Sequence, residues 1–536
     1  MKLIDVGKIT VSPFEFESIQ EIKIEKRLNE HSTLYVRGII RDDKQFAPAT
    51  GTTEGTGIKC ENDGAAYFSG VLQNVKINCV DAVYHLEAWA VSNTVLLDTV
   101  KHKRSFQDNG QDYKSIVEAV IAENGGTVAF NAEALTVENI ILQYNETDWE
   151  FAKRLASHTN DVLVPITGDS PAFHFGAPND GGAKALSKNY AVSKDYGAMR
   201  RMSMEADPLT ADDVTVHAFQ TDEHFCDIGE KLNFNGTDLH VSSLSLSLVD
   251  SALAVAYTLC GRKAASAPKA YNRAITGLAL DGKVTEVEND TVKLRLDGDA
   301  ERGVEQDTDE AHFFKYATGY SMESHTGWYV MPEEGDTVQL LFPNEDEKHA
   351  YAASSVRQED TDKTTDHMVK YLRTSYGKEI KLDEKEILIT AKDGETFIQI
   401  NEDSGITIKT PNAVTITAGG TMDVKSGKNM TITTDENLTI TVKESIVMNC
   451  GGNKVKIEPP SGIAVTTDKE IKTSSDGSSS IESKKEVNVK SGDDMKLDSG
   501  SKLAAAAKSE LKLTCSGSSV KMDGDIDMKA KFIKQN

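Results

Sequence analysis

Apolar residues recur at every eighth position in the C-terminal third of the chain. The repeat is defined by leaders, which are apolar residues followed two positions later by another apolar residue, as in AVTITAGGTMDVKSGKNMTIT. Such a pair is typical of a short strand with one buried face, and the Gly, Ser, Lys and Asn between the pairs are typical of turns. The pattern therefore predicts short strands joined by corners. Consecutive leaders are eight residues apart at Ile398, Ile406, Val414, Met422, Met430, Leu438 and Ile446.

The repeat continues beyond Ile446 with two interruptions. A ninth residue intervenes before Val455, and an irregular stretch follows through the Ser-rich SSDGSSS. The later leaders are Ile463, Ile471, Val487, Met495, Leu503 and Leu511, and Val520 and Ile526 close the series imperfectly. Self-similarity at a fixed period is the signature of solenoids and fibres.

Eight residues supply one face of a β-helix and not a complete coil. Either three octads of one chain close a coil, or three chains each contribute one octad to a layer. After Tyr376 the aromatic residues are Phe397 and Phe532, so the core is narrow and aliphatic. A narrow core favours three intertwined chains, and about sixteen octads would form a needle of roughly 75 Å. The seven leaders from Ile398 to Ile446 are the predicted core of this trimer.

The first half of the chain has a different pattern. Residues 1–270 show strand-like alternation, which places Ile22, Ile24, Leu34 and Val36 on buried faces. Two helices are predicted. NETDWEFAKRLASHTN begins with a capping box of Thr147 and Glu150, and YKSIVEAVIAENGG carries one apolar stripe and ends at Gly125.

The composition changes twice more along the chain. Residues 271–357 contain short strands separated by Gly and Asp turns, at the spacing of a small barrel. Residues 358–379 are polar and are predicted to be a linker with a tight turn at its end. Residues 380–536 are the octad region.

Charge and cysteine content limit the function classes. The formal net charge is -25, which argues against chain-wide attraction to nucleic acid or anionic lipid. The six cysteines show no CxxC spacing and are predicted to be free thiols in a reducing compartment. Asp5 and Lys8 interrupt any apolar signal-peptide core, and no apolar run is long enough to span a bilayer. We expect folding in the cytoplasm and export by a route without a signal peptide.

Three segments resemble one protein family. LQYNETDWEFAKRLASH is similar to the hub segment, GWYVMPEEGDTVQLLFPNEDEKHAYAASSVR to the OB-fold signature, and the octads to the needle of VgrG-type and phage tail spikes of contractile injection systems. Together with NEHSTLYVRG the resemblance covers essentially the whole chain. It implies a mainly β fold with gp27-like hub barrels and a few helices, an OB-fold collar, and a C-terminal intertwined β-helix.

The resemblance also implies partners. They are two further copies of the chain, a hexameric Hcp-like tail tube, baseplate proteins, a PAAR-type tip protein, effector cargo and a transiently contacted target membrane. Some relatives carry a lysozyme domain, a His-x-His metal tip or an appended effector. Here the short linker leaves no room for a lysozyme domain. No histidine follows His367, so we expect no His-x-His tip, and because the repeat runs almost to KFIKQN we expect no appended effector.

The sequence offers only weak candidates for a catalytic, metal or nucleic-acid-binding site. No HExxH, GxSxG, P-loop or GxGxxG motif is present, and we expect no catalytic, cofactor or metal site. The acidic stretch from Asp297 to Glu301 begins like a calcium loop, but Arg302 and Thr308 replace its required Gly and Glu. The barrel aromatics lie among acidic loops, so we expect them to pack the barrel or its trimer contacts and not to bind nucleic acid. They are Phe313, Phe314, Tyr316, Tyr320, Trp328 and Tyr329.

The predicted function is a non-enzymatic hub and spike of a contractile injection apparatus, which is assembled in the cytoplasm and delivered outside the cell or into a target. The alternative is a single-chain β-helix fibre that binds or cleaves surface polysaccharide. Such a fibre usually needs a groove lined with aromatic residues, and the octads supply none. A trimeric adhesin stalk would need an export signal and an anchor, and neither is recognised in the sequence.

Overall fold

The computed structural model describes most of the chain. The described residues are 2–41, 47–179, 181–185, 187–202, 210–222, 224–249, 251–297, 311–322, 326–358, 361–449, 463–514, 516–517, 524 and 527–534. They form two compact units, Met1–Thr415 and Ile416–Asn536. The leaders Val455, Val520 and Ile526, the cysteines Cys450 and Cys515, and the acidic stretch after Asp297 lie outside the described residues.

The N-terminal region is mainly β, as predicted. Its strands are β1 (Lys2–Leu3), β2 (Ile9–Ser12), β3 (Phe16–Arg27), β4 (Thr33–Ile40), β5 (Gly57–Asn62), β6 (Ala65–Val80), β7 (Val83–Ser92), β8 (Lys101–Phe106), β9 (Thr127–Phe130), β10 (Ile141–Thr147), β11 (Leu163–Pro165), β12 (Ala172–Phe175), β13 (Gly181–Ala185), β14 (Tyr190–Lys194), β15 (Thr215–Thr221), β16 (His224–Phe225), β17 (Lys231–Phe234), β18 (Thr237–Val249) and β19 (Ala252–Cys260).

A twelve-stranded sheet dominates this region. Its strand order is β14-β15-β19-β18-β3-β4-β7-β6-β5-β2, with β13 and β17 branching from β18. In the β3–β4 pair Ile22 lies opposite Val36 and Ile24 opposite Leu34. All four side chains are buried, which confirms the alternation predicted from the sequence. The four described cysteines, at 60, 79, 226 and 260, are free thiols as expected.

The helices are α1 (Ala47–Gly51), α2 (Tyr113–Ala122), α3 (Asp148–His158) and α4 (Tyr196–Met202). The predicted capping box is present at the start of α3. The Glu150 N–H donates to Thr147 Oγ1 at 3.1 Å, and the Thr147 N–H donates to Glu150 Oε2 at 3.0 Å. Gly125 follows α2 with a φ of 66°, which suits its predicted role as the end of that helix. None of the described helices has the length and apolar character needed to span a membrane.

The predicted small barrel is also confirmed. Its region contains β20 (Ala279–Glu288), β21 (Thr291–Leu296), β22 (Phe314–Ala317), β23 (Ser321–Met322), β24 (Thr326–Gly327), β25 (Thr337–Leu341) and β26 (Tyr351–Ser355). Five of these close a barrel in the order β20-β21-β22-β26-β25, while β23 pairs with β24. The barrel core includes Val284, Leu294, Phe314 and Leu340, and it shares one hydrophobic cluster with Leu142 of β10. The barrel is therefore packed directly on the N-terminal region.

A five-stranded antiparallel sheet, which we call the root sheet, follows the barrel. Its strands pair in chain order: β27 (Lys370–Arg373), β28 (Glu379–Leu382), β29 (Glu386–Lys392), β30 (Thr396–Asn401) and β31 (Gly405–Lys409). The whole of β27 and the start of β28 lie inside the segment predicted as a linker. The predicted tight turn is present between them, where the Gly377 N–H donates to the Thr374 carbonyl at 3.0 Å.

In the described residues beyond Lys409 the chain bends once in every octad. Two-residue bends occur at 411–412, 419–420, 427–428, 435–436 and 443–444, and again at 468–469, 476–477, 484–485 and 492–493. These bends are the predicted corners. No described residue after Lys409 belongs to a strand, so the strands predicted for these octads do not form within one copy of the chain.

Candidate interface for chain association

One face of the root sheet carries nine aliphatic residues, and Lys370 of β27 lies on the same face, opposite Leu382. Cross-strand pairing places the nine aliphatic residues in two rows that run across the sheet. All nine side chains are exposed, with relative exposures between 40% and 70%. We call this surface the aliphatic face; its first row is Leu372, Ile380, Ile389, Ile398 and Ile408, and its second row is Leu382, Ile387, Ile400 and Ile406.

The opposite face of the root sheet satisfies its own polar groups. Glu379 is buried and accepts hydrogen bonds from Arg373 at 2.8 Å and from Lys363 at 3.2 Å. The hydrogen bond from Arg373 is the main reason that the pKa of Glu379 lies below its usual value. On the same face Lys381 pairs with Asp383 at 2.6 Å and with Glu386 at 3.3 Å. The two faces differ sharply, because the polar groups of the opposite face pair with each other, whereas the aliphatic side chains are exposed.

The predicted trimer-core leaders fall into two groups. Ile398 lies on β30 and Ile406 on β31, both on the aliphatic face. The other five follow the root sheet and have relative exposures between 52% and 59%; they are Val414, Met422, Met430, Leu438 and Ile446. The structure thus brings the first two leaders together and leaves the other five spread along the bends. Their role in a trimer core stays a prediction.

A hydroxyl at the corners was missed by the sequence analysis. In seven octads a Ser or Thr four positions before the leader position accepts a hydrogen bond from the N–H two residues later, at 3.1 to 3.4 Å. This local bond stabilises a turn. The hydroxyl residues are Thr410, Ser426, Thr434, Thr467, Ser475, Ser483 and Ser499.

These hydroxyls also correct the prediction of an irregular stretch. Ser475 lies within the Ser-rich segment and Ser483 follows it, and the bends there keep the spacing of eight. Ser479 simply occupies the leader position, and Ile481 stands two residues later. A search for hydroxyl residues at a period of eight would have found this continuity, whereas a search for apolar leaders did not.

The segment LQYNETDWEFAKRLASH forms the joint between the N-terminal region and the barrel. Arg154 on α3 is 4% exposed. Its guanidinium donates to Glu146 at 2.8 Å, to Glu347 of the barrel region at 2.9 Å, and to the Leu142 carbonyl at 2.9 Å. Burial raises the pKa of Glu146, and Arg154 opposes this effect. The joint is thus held by a buried charged cluster.

His158 completes the joint at the end of α3. Its ring lies 3.1 Å from the Tyr113 hydroxyl and 3.0 Å from the Ala270 carbonyl. Burial, reinforced by the charge of Arg154, lowers the pKa of His158 to about 4. The ring is therefore neutral at pH 7 and packs as part of the joint.

The described residues contain no group of three or more His, Cys, Asp or Glu side chains arranged to hold a metal ion. Only Asp297 of the calcium-like stretch is described, so that weak candidate cannot be placed. Of the barrel aromatics, Phe314 packs in the barrel core as expected, whereas Trp328 and Tyr329 are largely exposed.

Comparisons with known proteins agree with this architecture. The family model of the phage tail baseplate hub (GPD) matches residues 26–160. A second model, of an uncharacterized protein family conserved in bacteria (DUF2345), matches residues 392–531. A search of the curated proteins finds no match.

Several solved structures are similar to parts of the chain. An Escherichia coli component of the type VI secretion system, c3393, which itself resembles the T4 tail proteins gp27 and gp5, is 13% identical; the match covers 65% of this chain and 100% of c3393, with a TM-score of 0.47. The half-lidded Francisella PdpA–VgrG complex is 9% identical over 75% of this chain and 87% of that chain, with a TM-score of 0.45. A 43 kDa prophage MuSo2 tail protein from Shewanella oneidensis is 11% identical; the match covers 49% of this chain and 98% of that protein, with a TM-score of 0.39.

The baseplate-hub match covers the segment in which the hub motif was recognised. The closed barrel and the eight-residue repeat follow it in the predicted order. The chain thus contains a segment of the phage tail baseplate hub family, and its order of hub, barrel and repeat is the one predicted for a hub-and-spike protein of the VgrG and phage-tail type.

Proposed function

We propose that three copies of this chain assemble into the hub and spike of a contractile, phage-tail-like injection apparatus. The N-terminal region is the hub that joins the tail tube and baseplate, the barrel is the collar, and the octads form the needle. The protein acts mechanically and without catalysis. The aliphatic face is the observation that carries the proposal, because it is a large apolar surface with a defined strand register and no cover among the described residues.

Association of three copies would cover this face. Three root sheets can be arranged as a triangular prism, with each aliphatic face turned toward the axis. Burying a Leu or Ile side chain completely stabilises a structure by roughly 1.5–3 kcal/mol, and these side chains are already partly covered. Nine residues at about 1 kcal/mol each would give roughly 9 kcal/mol per chain before entropic costs. This gain would offset much of the entropic cost of association.

In the octads, too, association of three copies would cover exposed apolar residues. Three copies would place leaders from three chains in each layer and would pair backbone groups that have no partner strand in one copy. A rod whose chains are bound to each other at every layer resists bending and compression. Sheath contraction would drive such a rod through a target envelope.

The partners follow from this role. A threefold hub of gp27-like subunits, as the resemblance implies, would match a hexameric, Hcp-like tail tube, and a PAAR-type tip protein with effector cargo would sit on the needle. Assembly takes place in the cytoplasm, and contraction delivers the protein outside the cell or into a target.

The polysaccharide fibre is less well supported. A single-chain β-helix would pair successive octads within one copy and bury their leaders. In the described residues from Val414 to Ile446 the leaders are exposed and no strand is present.

A deletion experiment tests the proposed function. In a bacterium that encodes this chain, its removal should abolish assembled particles and the release of tube protein into the medium. The wild-type gene should restore both. A gene for the Met422→Asp, Met430→Asp variant should restore neither particles nor tube release. The control Thr431→Asp, at a position between leaders, should restore both. Particles and tube release that persist without the chain would contradict the proposal.

A further inference from the structure

A second exposed apolar surface lies on the barrel, and it is made of aromatic residues. Residues 328–330, with the sequence Trp-Tyr-Val, follow the β23–β24 hairpin, and their relative exposures are 71%, 72% and 46%. Tyr320 at the start of the hairpin is also half exposed. We call Tyr320 and residues 328–330 the aromatic patch. By contrast, Phe314 and Phe342 of the same barrel are fully buried.

The backbone of the patch at Trp328 and the side chain of Tyr329 are held in place by hydrogen bonds. The Trp328 N–H donates to the Tyr320 carbonyl at 2.8 Å, and the Tyr329 hydroxyl donates to the Asn289 carbonyl at 2.5 Å. Gly327 has a φ of 130°, and a Cβ there would lie 2.6 Å from the Tyr320 carbonyl oxygen, so the close approach requires glycine. Preorganised aromatic side chains lose little entropy on binding, which is why they are frequent at the centres of interfaces.

The patch is connected to the root sheet. Glu333, three residues after Val330, accepts hydrogen bonds from the Ser375 N–H at 3.3 Å and from the Ser375 hydroxyl at 3.1 Å. Ser375 lies in the turn between β27 and β28, beside the exposed Tyr376. Leu372 and Ile380 of the aliphatic face stand on the two strands that this turn joins. The barrel patch and the aliphatic face therefore belong to adjoining elements.

From this connection we infer that the aromatic patch is a contact between copies of the chain at the collar. The inference rests on the proposed trimer and specifies a further part of its interface. A chain of net charge -25 repels its own copies, so association requires apolar contacts wherever the copies meet. The patch supplies such a contact at the collar, on an element that is hydrogen-bonded to the turn of the root sheet beside the aliphatic face.

Trp328 provides an intrinsic probe for the test. The other two tryptophans are Trp149, which is buried, and Trp89, which is partly buried. The difference in acrylamide quenching between the wild-type chain and the Trp328→Phe variant isolates the emission of Trp328. In the assembled protein its quenching constant should be several-fold smaller than in a dissociated Ile398→Asp, Ile400→Asp variant, and its emission should shift to shorter wavelength.

The molar mass of the same samples separates the two proposals. A trimer in which Trp328 is quenched as readily as in the dissociated variant would overturn the collar contact and leave the proposed function standing. Protection of Trp328 that appears only when an oligosaccharide is added would overturn it in favour of a glycan site. A monomeric wild-type chain would overturn the proposed function itself.

A pair of substitutions gives a second readout. Trp328→Ser with Tyr329→Ser should lower the urea concentration at which the assembly dissociates. The control Tyr196→Ser replaces an exposed aromatic residue of α4, outside the barrel, and should leave that midpoint unchanged. Equal midpoints for both variants would contradict the inference.

Discussion

At the scale of single residues, Arg154 shows most clearly how a local motif serves the whole fold. The sequence identified the helix and its capping box, because both depend on residues three or four positions apart. It did not identify Glu347 as the partner of Arg154, because the two are separated by 193 residues. A buried arginine can be recognised from structure but not from spacing.

Loss of Arg154 should therefore be costly. Arg154→Met would leave two buried carboxylates, Glu146 and Glu347, without their cation, and breaking a buried pair costs about 3–5 kcal/mol. Urea unfolding should show a decrease of this size. The control is Arg273→Met, since Arg273 is highly exposed and its pair with Glu345 should contribute less than about 1 kcal/mol. Equal losses in the two variants would contradict the assignment of a structural joint.

The joint should also respond to acid through His158. Because the folded-state pKa of His158 is depressed to about 4, the unfolded state binds its proton more readily. Its contribution is complete above the unfolded value of 6.5 and is lost as the pH falls from there through 4, by about 3 kcal/mol in total. His158→Gln should reduce the loss of melting temperature between pH 7 and pH 5. The control His349→Gln, at an exposed histidine, should leave that loss of melting temperature unchanged. If the two variants behave alike, His158 does not have this role.

At the scale of elements, strongly periodic segments were predictable and short polar strands were not. The alternation in β3 and β4 and the spacing of the barrel strands carried clear signals. β27 carried no clear signal, since Tyr371 and Leu372 are its only apolar residues and they lie between Lys370 and Arg373. It forms because β28 offers a partner across a tight turn, and this is a tertiary effect that composition does not reveal. The register that creates the aliphatic face became visible only with the pairing.

The two faces of the root sheet give the sharpest prediction at this scale. Ile398→Asp with Ile400→Asp places charges on the aliphatic face and should prevent association, because an unpaired charge cannot be buried in an apolar interface. The matched control is Gln399→Asp with Thr407→Asp, which adds the same charge to the opposite face. Sedimentation velocity should show dissociated chains for the first variant and intact assemblies for the second. Dissociation of both, or of neither, would contradict the assignment of the interface.

At the scale of the whole molecule, the account depends on the number of copies. The sequence predicted a hub, a barrel and an octad needle, and the structure contains the hub-region sheet, the barrel and the eight-residue bends in that order. It could not establish the needle core, because an octad supplies only one face of a β-helix. Under the proposed trimer the partners of each octad belong to other copies, which would account for the exposure of the described leaders in a single copy.

The most direct measurement is the molar mass of the purified chain by light scattering. The account predicts three times 58.4 kDa, unchanged by mild denaturant. A molar mass of one chain would contradict it, because the aliphatic face and the leaders would then have to be covered within a single copy.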